Sequence, residues 1–239
     1  SYTWSTSHHS TRFSPRLGNF SRSAMVSIRT CMVRSWAVVW GTWCFTRERG
    51  ITRLNSNSTT TSGGAFLLQG STTMNMYGGK IVGGKHVNTG YDSINVEGGA
   101  AIRCAGIIIM HDGIIEGGES WTNGGVLYLS DAAKLVMKGG RITGGKSAAD
   151  GGGVYATGSS TVTLSGNAQI TGNQGSNLWI DGLAKVFIGD EGLGEDALFG
   201  ISMTMPGYFL EDAPADMDIT KHFVSDDSST KVTADGSLK

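Results

Sequence analysis

Paired glycines recur along this chain at nearly constant intervals, and each pair leads into a short segment in which apolar and polar residues alternate. Successive units open at Gly63-Gly64-Ala65-Phe66, Gly98-Gly99-Ala100-Ala101, Gly124-Gly125-Val126-Leu127 and Gly151-Gly152-Gly153-Val154. A second punctuation follows in each, at Gly78-Gly79, Asp112-Gly113, Gly139-Gly140 and Gly166-Asn167. A third comes after an isoleucine, as in Ile142-Thr143-Gly144-Gly145. From Ile81 through Ile115 and Ile142 to Ile170 the steps are 34, 27 and 28 residues, so the period is 27 with one insertion around Asn88 to Asn95. A period of that size belongs to a solenoid or a propeller, and a four-stranded propeller blade needs about 40 residues or more.

The alternation within each unit is the period of a strand, and residues 63–200 hold no sustained helical spacing. Glycine and asparagine at the corners tolerate positive φ. The expected fold is therefore all-β: a single-stranded parallel β-helix of about 27 residues and three strands per coil.

Threading the coils assigns the inward positions. The first face turns in Phe66 and Leu68, Ile102 and Cys104, Leu127 and Leu129, Val154 and Ala156, then Leu178 and Ile180. The second turns in Met74 and Met76, Ile108 and Met110, Leu135 and Met137, Val162 and Leu164, then Val186 and Ile188. The third contributes Ile81, Ile115, Ile142 and Ile170. Cys104, being inward, reads as a small apolar residue rather than a reactive thiol.

Charge divides the chain. Residues 1–62 hold eight arginines, no lysine and only Glu48, whereas residues 63–239 hold 34 of the 37 glycines and a net charge of −8, which the overall −1 conceals. The first block also has four of the six tryptophans and no repeat. Tryptophan has a single codon, so reading Trp36-Ala37-Val38-Val39-Trp40 two nucleotides later forces one glycine and permits two more. That regenerates an opening like Gly151-Gly152-Gly153-Val154. Residues 1–62 thus read as an atypical basic segment, frame-shifted over residues 1 to about 55, with a disordered basic arm as the alternative. Residues 63–200 are the β-helix repeats. Residues 201–239, with Pro206, Pro214 and the acidic Glu211, Asp212, Asp216 and Asp218, read as an exit segment that caps the last coil. Val26 to Phe45 has too many arginines and polar residues for a transmembrane helix.

Residues GGGVYATGSSTVTLSGNAQITGN and NLWIDGLAKVFIGDEGLGEDALFGISM resemble the right-handed parallel β-helix repeats of large bacterial surface and secreted proteins, including adhesin-like proteins. Gly63-Gly64-Ala65 and Gly98-Gly99-Ala100 are similar to repeats of the chlamydial polymorphic outer-membrane proteins, although the companion FxxN motif is missing. The resemblance implies a secreted or surface-attached piece of a larger chain, acting in adhesion or envelope architecture, with carbohydrate or a host surface protein as partner.

Enzymes of this fold cleave polysaccharides with carboxylates that straddle a glycosidic bond, or with calcium held by clustered carboxylates. Here the outward strand positions are mostly Asn, Thr, Tyr, Val and Lys. His111-Asp112 is the only adjacent His-Asp pair, and its aspartate falls at a turn. Asp190, Glu191, Glu195 and Asp196 lack the spacing of a calcium repeat and read as a solvated loop. No catalytic residue, metal site, cofactor or nucleic-acid partner is expected. The alternative is a fragment of a polysaccharide lyase or glycosidase that lacks its catalytic coils. One exterior feature stands out: Leu67, Arg103, Tyr128, Tyr155 and Trp179 fall at equivalent outward positions, about 4.8 Å apart. Arg103, Tyr128, Tyr155 and Trp179 are the candidate binding residues, for a sugar or a partner surface. Against that stands the ordinary tendency of aromatics to cover sheet surface.

Overall fold

A computed structural model describes residues 64–86 and 98–239, together with the strand backbones Ala24–Met25, Thr30–Met32, Ala37–Val39, Thr42–Phe45 and Arg53–Asn55. The expectations for the character of residues 1–62 and for the insertion near Asn88 lie outside the described residues. The chain forms a parallel β-solenoid of the right-handed type with about five turns. Each turn has three main strands and about 27 residues.

The first-face strands are Phe66–Leu68, Ile102–Cys104, Leu127–Leu129, Val154–Ala156 and Leu178–Ile180, each paired in parallel with the next. The second-face ladder runs through Thr73–Met76, Ile107–Met110, Lys134–Met137, Thr161–Gly166 and Lys185–Leu193. The third comprises Lys80–Val82, Ile114–Glu116, Arg141–Thr143 and Gln169–Ile170. The backbones of Ala37–Val39, Thr42–Phe45 and Arg53–Asn55 each add one parallel strand at the N-terminal side.

Period-2 alternation places one set of side chains inside, and the core is the set expected from it. Each inward residue named above is buried except Ile188, which is partly buried and packs against the core. The exception has a local cause. The strand Lys185–Leu193 bulges between Leu164↔Ile188 and Gly166↔Leu193, so residues 189–192 loop outward. Each fully buried large aliphatic contributes roughly 1.5–3 kcal/mol, and the column is continuous from coil to coil.

The paired glycines are needed for coil stacking. A Cβ on Gly125 would run into the Gly152 carbonyl of the next coil. Gly140, at φ +77°, would place a Cβ 2.6 Å from the Gly113 carbonyl oxygen. Neighbouring backbones approach too closely at these corners for any side chain.

Two features go beyond the three-face pattern. A short fourth ladder joins Lys85–His86, Glu119–Ser120 and Lys146–Ser147, with a further bridge from Lys146 to Gln174. The ladders also continue past Gly200. Leu198–Met203 pairs first with Gln169–Ile170 and then with Leu178–Ile180, which merges the third and first faces into one sheet. Leu210–Glu211 extends the second face, and Phe223–Ser225 the third. Phe209, Ile219, Phe223 and Leu238 are buried and close this end.

Candidate functional site

Register brings the sequence-derived column together: Leu67, Arg103, Tyr128, Tyr155 and Trp179 are consecutive Cα partners along the first face, and Ser202 follows Trp179. The column is far less open than an outward position implies. Tyr128 and Tyr155 are each 8 % exposed, and Arg103 and Trp179 are half-buried. The tyrosine rings stack on each other with centroids 5.4 Å apart and planes 16° apart. Each therefore spends one ring face on its neighbour, an offset-stacked geometry that favours aromatic pairs.

The first-face strands are only three residues long, so the turns before and after them border the column. From the turns that follow come Asp131 and Asp181; from a turn that precedes comes Asp150. The Tyr155 hydroxyl donates to Asp181 Oδ2 at 2.8 Å. Thr157 donates to the same oxygen at 3.3 Å, and Thr204 to Oδ1 at 2.8 Å. Asp150 is held from its backbone, its N–H donating to Asn123 Oδ1 at 3.0 Å.

These neighbours set the electrostatics. Burial pushes the Tyr128 phenol upward; Arg103 opposes that shift, while Asp131 and Asp181 add to it. Tyr155 is pushed up by burial first, then by its bond to Asp181. Burial also raises the Asp150 carboxyl, reinforced by the charge of Asp181. Asp181 goes the other way, because the hydrogen bonds from Thr204, Tyr155 and Thr157 outweigh its burial. Hydrogen bonds to the charged form are the determinant that lowers a carboxylate pKa against desolvation.

Sequence reading did not single out Asp131, Asp150 or Asp181, since aspartate is an ordinary turn residue. Their only signal is position: each sits next to a strand of the aromatic column.

The other candidates are dispersed. His111 stacks on Tyr77 with centroids 4.2 Å apart, and Asp112 Oδ1 accepts from the Gly113 N–H at 2.7 Å, an ordinary turn bond. Asp190 and Glu191 lie in the bulge, and Glu191 pairs with Lys138 at 2.8 Å. The Asp196 N–H donates to Asn167 Oδ1 at 3.3 Å. Among the described residues no group of His, Cys, Asp and Glu is placed to hold a metal ion. The Cys104 thiol is buried and pushed up to about 12 by that burial, which keeps it un-ionised. An open groove of about 420 Å³ follows the short fourth ladder, floored by Gly118, Gly144 and Gly145 and edged by Lys85, Glu119 and Lys146. Lys85 meets Glu119 at 3.0 Å, and this bond, with the charges of Lys85 and Lys146, holds the Glu119 carboxyl low. Among the described residues no helix is long and apolar enough to cross a membrane.

No protein-family model, curated protein or solved structure matches the chain.

Proposed function

We propose that this chain is a non-enzymatic, extracellular β-helix segment of a bacterial cell-surface protein, a stalk or adhesin-like surface that contacts glycans or host proteins. The observation that carries this reading is the outward column Arg103, Tyr128, Tyr155 and Trp179, held in register on a continuous apolar core. A rigid solenoid presents side chains at a fixed spacing, as an extended binding surface requires. The sequence resemblance to adhesin-like repeats supports the location.

Retention of the purified chain on immobilised glycans and on host-cell surfaces tests the proposal. Replacing Tyr128, Tyr155 and Trp179 together with Ser should abolish retention while circular dichroism still reports β structure. Unchanged retention by the folded triple variant would rule out this column as the contact surface.

A further inference from the structure

The first-face column holds hydrogen-bonding groups that the fold leaves unused. The Tyr128 hydroxyl makes no hydrogen bond among the described residues, although the residue is only 8 % exposed. Trp179 Nε1 is buried and also without a partner. Buried donors are normally satisfied, so the Trp179 N–H asks for an explanation, whereas the Tyr128 hydroxyl is not sealed from solvent and is free to bond a ligand. Trp179 lies two coils beyond Tyr128, and between them the Tyr155 hydroxyl already donates its hydrogen bond to Asp181.

Acceptors are unused as well. Asp181 takes three hydrogen bonds, but the carboxylates of Asp131 and Asp150 accept none among the described residues. The charges of Asp131, Asp181 and Arg103 act on Tyr128, and those of Asp150 and Asp181 on Tyr155. Among the described residues, three carboxylates and one guanidinium thus act on the two tyrosines. An anion entering here meets net repulsion, and a ligand that offers only ring faces meets tyrosines already stacked on each other.

We infer that the first-face column takes uncharged, hydroxyl-rich sugar units edge-on and rejects anionic glycans. This rests on the glycan contact proposed above. Sugar hydroxyls both donate and accept, so successive units can accept from Tyr128 Oη and, where the indole edge is uncovered, from Trp179 Nε1, while donating to Asp131 and Asp150. Uronates and sulfated sugars bring the wrong charge, and specificity comes as much from that repulsion as from the new bonds.

Retention on neutral manno-, galacto- and cello-oligosaccharides is compared with retention on oligogalacturonate and chondroitin sulfate. The full chain should bind at least one neutral series and neither anionic one. Tyr128→Phe keeps the stacked ring and removes only the unused hydroxyl; it should weaken neutral binding by roughly tenfold, the worth of about one hydrogen bond. The double change Asp131→Asn and Asp150→Asn should bring oligogalacturonate retention up toward that of the neutral series. Anionic glycans held as well as neutral ones, or Tyr128→Phe binding neutral sugars like the parent, would overturn the inference. Retention on a host protein with none on any glycan also overturns it, while leaving the proposed surface role intact.

Discussion

The coils between Gly98 and Gly172 and the turn that runs from Ile201 to Ser225 extend the same ladders, but they fill and close them differently. In the coils each first- or second-face strand turns two moderate side chains inward, such as Leu135 and Met137, and paired glycines let neighbouring corners touch. At the end large aromatics, Phe199 and Phe223, take over from the third-face isoleucines, while Ile201 and Leu210 keep the other two faces aliphatic. Phe223 lies 5.2 Å from Phe199 and 5.5 Å from Phe209, ring centroid to ring centroid, and all three are buried. An interior coil has a neighbour on both sides, whereas a terminal one must bury its own open face, which large rings accomplish with fewer residues. The Tyr208↔Ser237 and Val232↔Leu238 bridges then fold the remaining chain back in antiparallel fashion.

The largest expected effect tests whether that end is a separate unit. Phe223→Ala should cost about 3–5 kcal/mol, the range for a buried aromatic truncated in a core. Coupling in a solenoid runs between nearest neighbours. Hydrogen-exchange protection should therefore fall in Leu198–Met203, less in Leu178–Ile180, and least in Ile102–Cys104. Loss confined to residues 201–239 would make the terminal turn an independent cap. Uniform loss would make the whole stack one cooperative unit.

Glycines sharpen the same contrast. Gly140→Ala forces a Cβ toward the Gly113 carbonyl at φ +77° and should destabilise by roughly 1–3 kcal/mol in urea titrations. Gly207→Ala, in the terminal turn, meets nothing nearer than 3.9 Å and has no positive φ. It should be neutral or stabilising by up to about 1 kcal/mol, through the unfolded chain. Equal costs at the two sites would contradict the view that glycine stacking belongs to the repeats alone.

A polar tie joins the two regions, and its loss should come next in size. Asp226 accepts from the Asn177 backbone N–H at 2.6 Å, from the Asn177 side chain, and from Ser202 at 3.3 Å. Asn177 in turn accepts from the Asn173 backbone N–H at 3.0 Å. Asp226→Ala strands these donors and should cost about 1–2 kcal/mol, within the range for an unsatisfied buried group. A midpoint equal to that of the parent would show that solvent replaces the carboxylate without penalty.

How far each region could be read from the sequence follows from its chemistry. Alternation of apolar side chains is a direct consequence of strand geometry, so the inward columns through Ile108, Leu135 and Val162 were legible. The fourth ladder was not, because Lys85-His86, Glu119-Ser120 and Lys146-Ser147 carry no apolar alternation. The terminal turn was missed as a continuation because its corners lose the paired glycines and Leu210–Glu211 turns in one residue where the earlier second-face strands turn in two. For the candidate site, register alone predicts that Arg103, Tyr128, Tyr155 and Trp179 align. The 8 % exposure of the two tyrosines does not follow from register, since ring stacking and bordering turns decide it. Asp131, Asp150 and Asp181 look like any turn aspartate until the fold sets them beside that column.

The smallest expected effect is in pH, and it separates the two regions in a different way. His86, in the short fourth ladder, is 1 % exposed; its Nδ1 lies 3.2 Å from Ser120 Oγ, and its Nε2 has no partner. Burial lowers its pKa from 6.5, because a charged imidazole would lack water there. The neutral ring's contribution to stability is thus complete above pH 6.5, and it is lost as pH falls through 6.5 toward the folded-state value. The melting temperature should decline over that window, and His86→Gln should flatten the decline. The Trp121 N–H, which donates to the His86 carbonyl at 3.1 Å, should then lose exchange protection before those of Phe209 and Leu210, which donate to Gly236 in the terminal turn. Simultaneous loss, after correction for intrinsic exchange rates, would place the acid-sensitive element elsewhere and tie the repeats to their end more tightly than nearest-neighbour coupling allows.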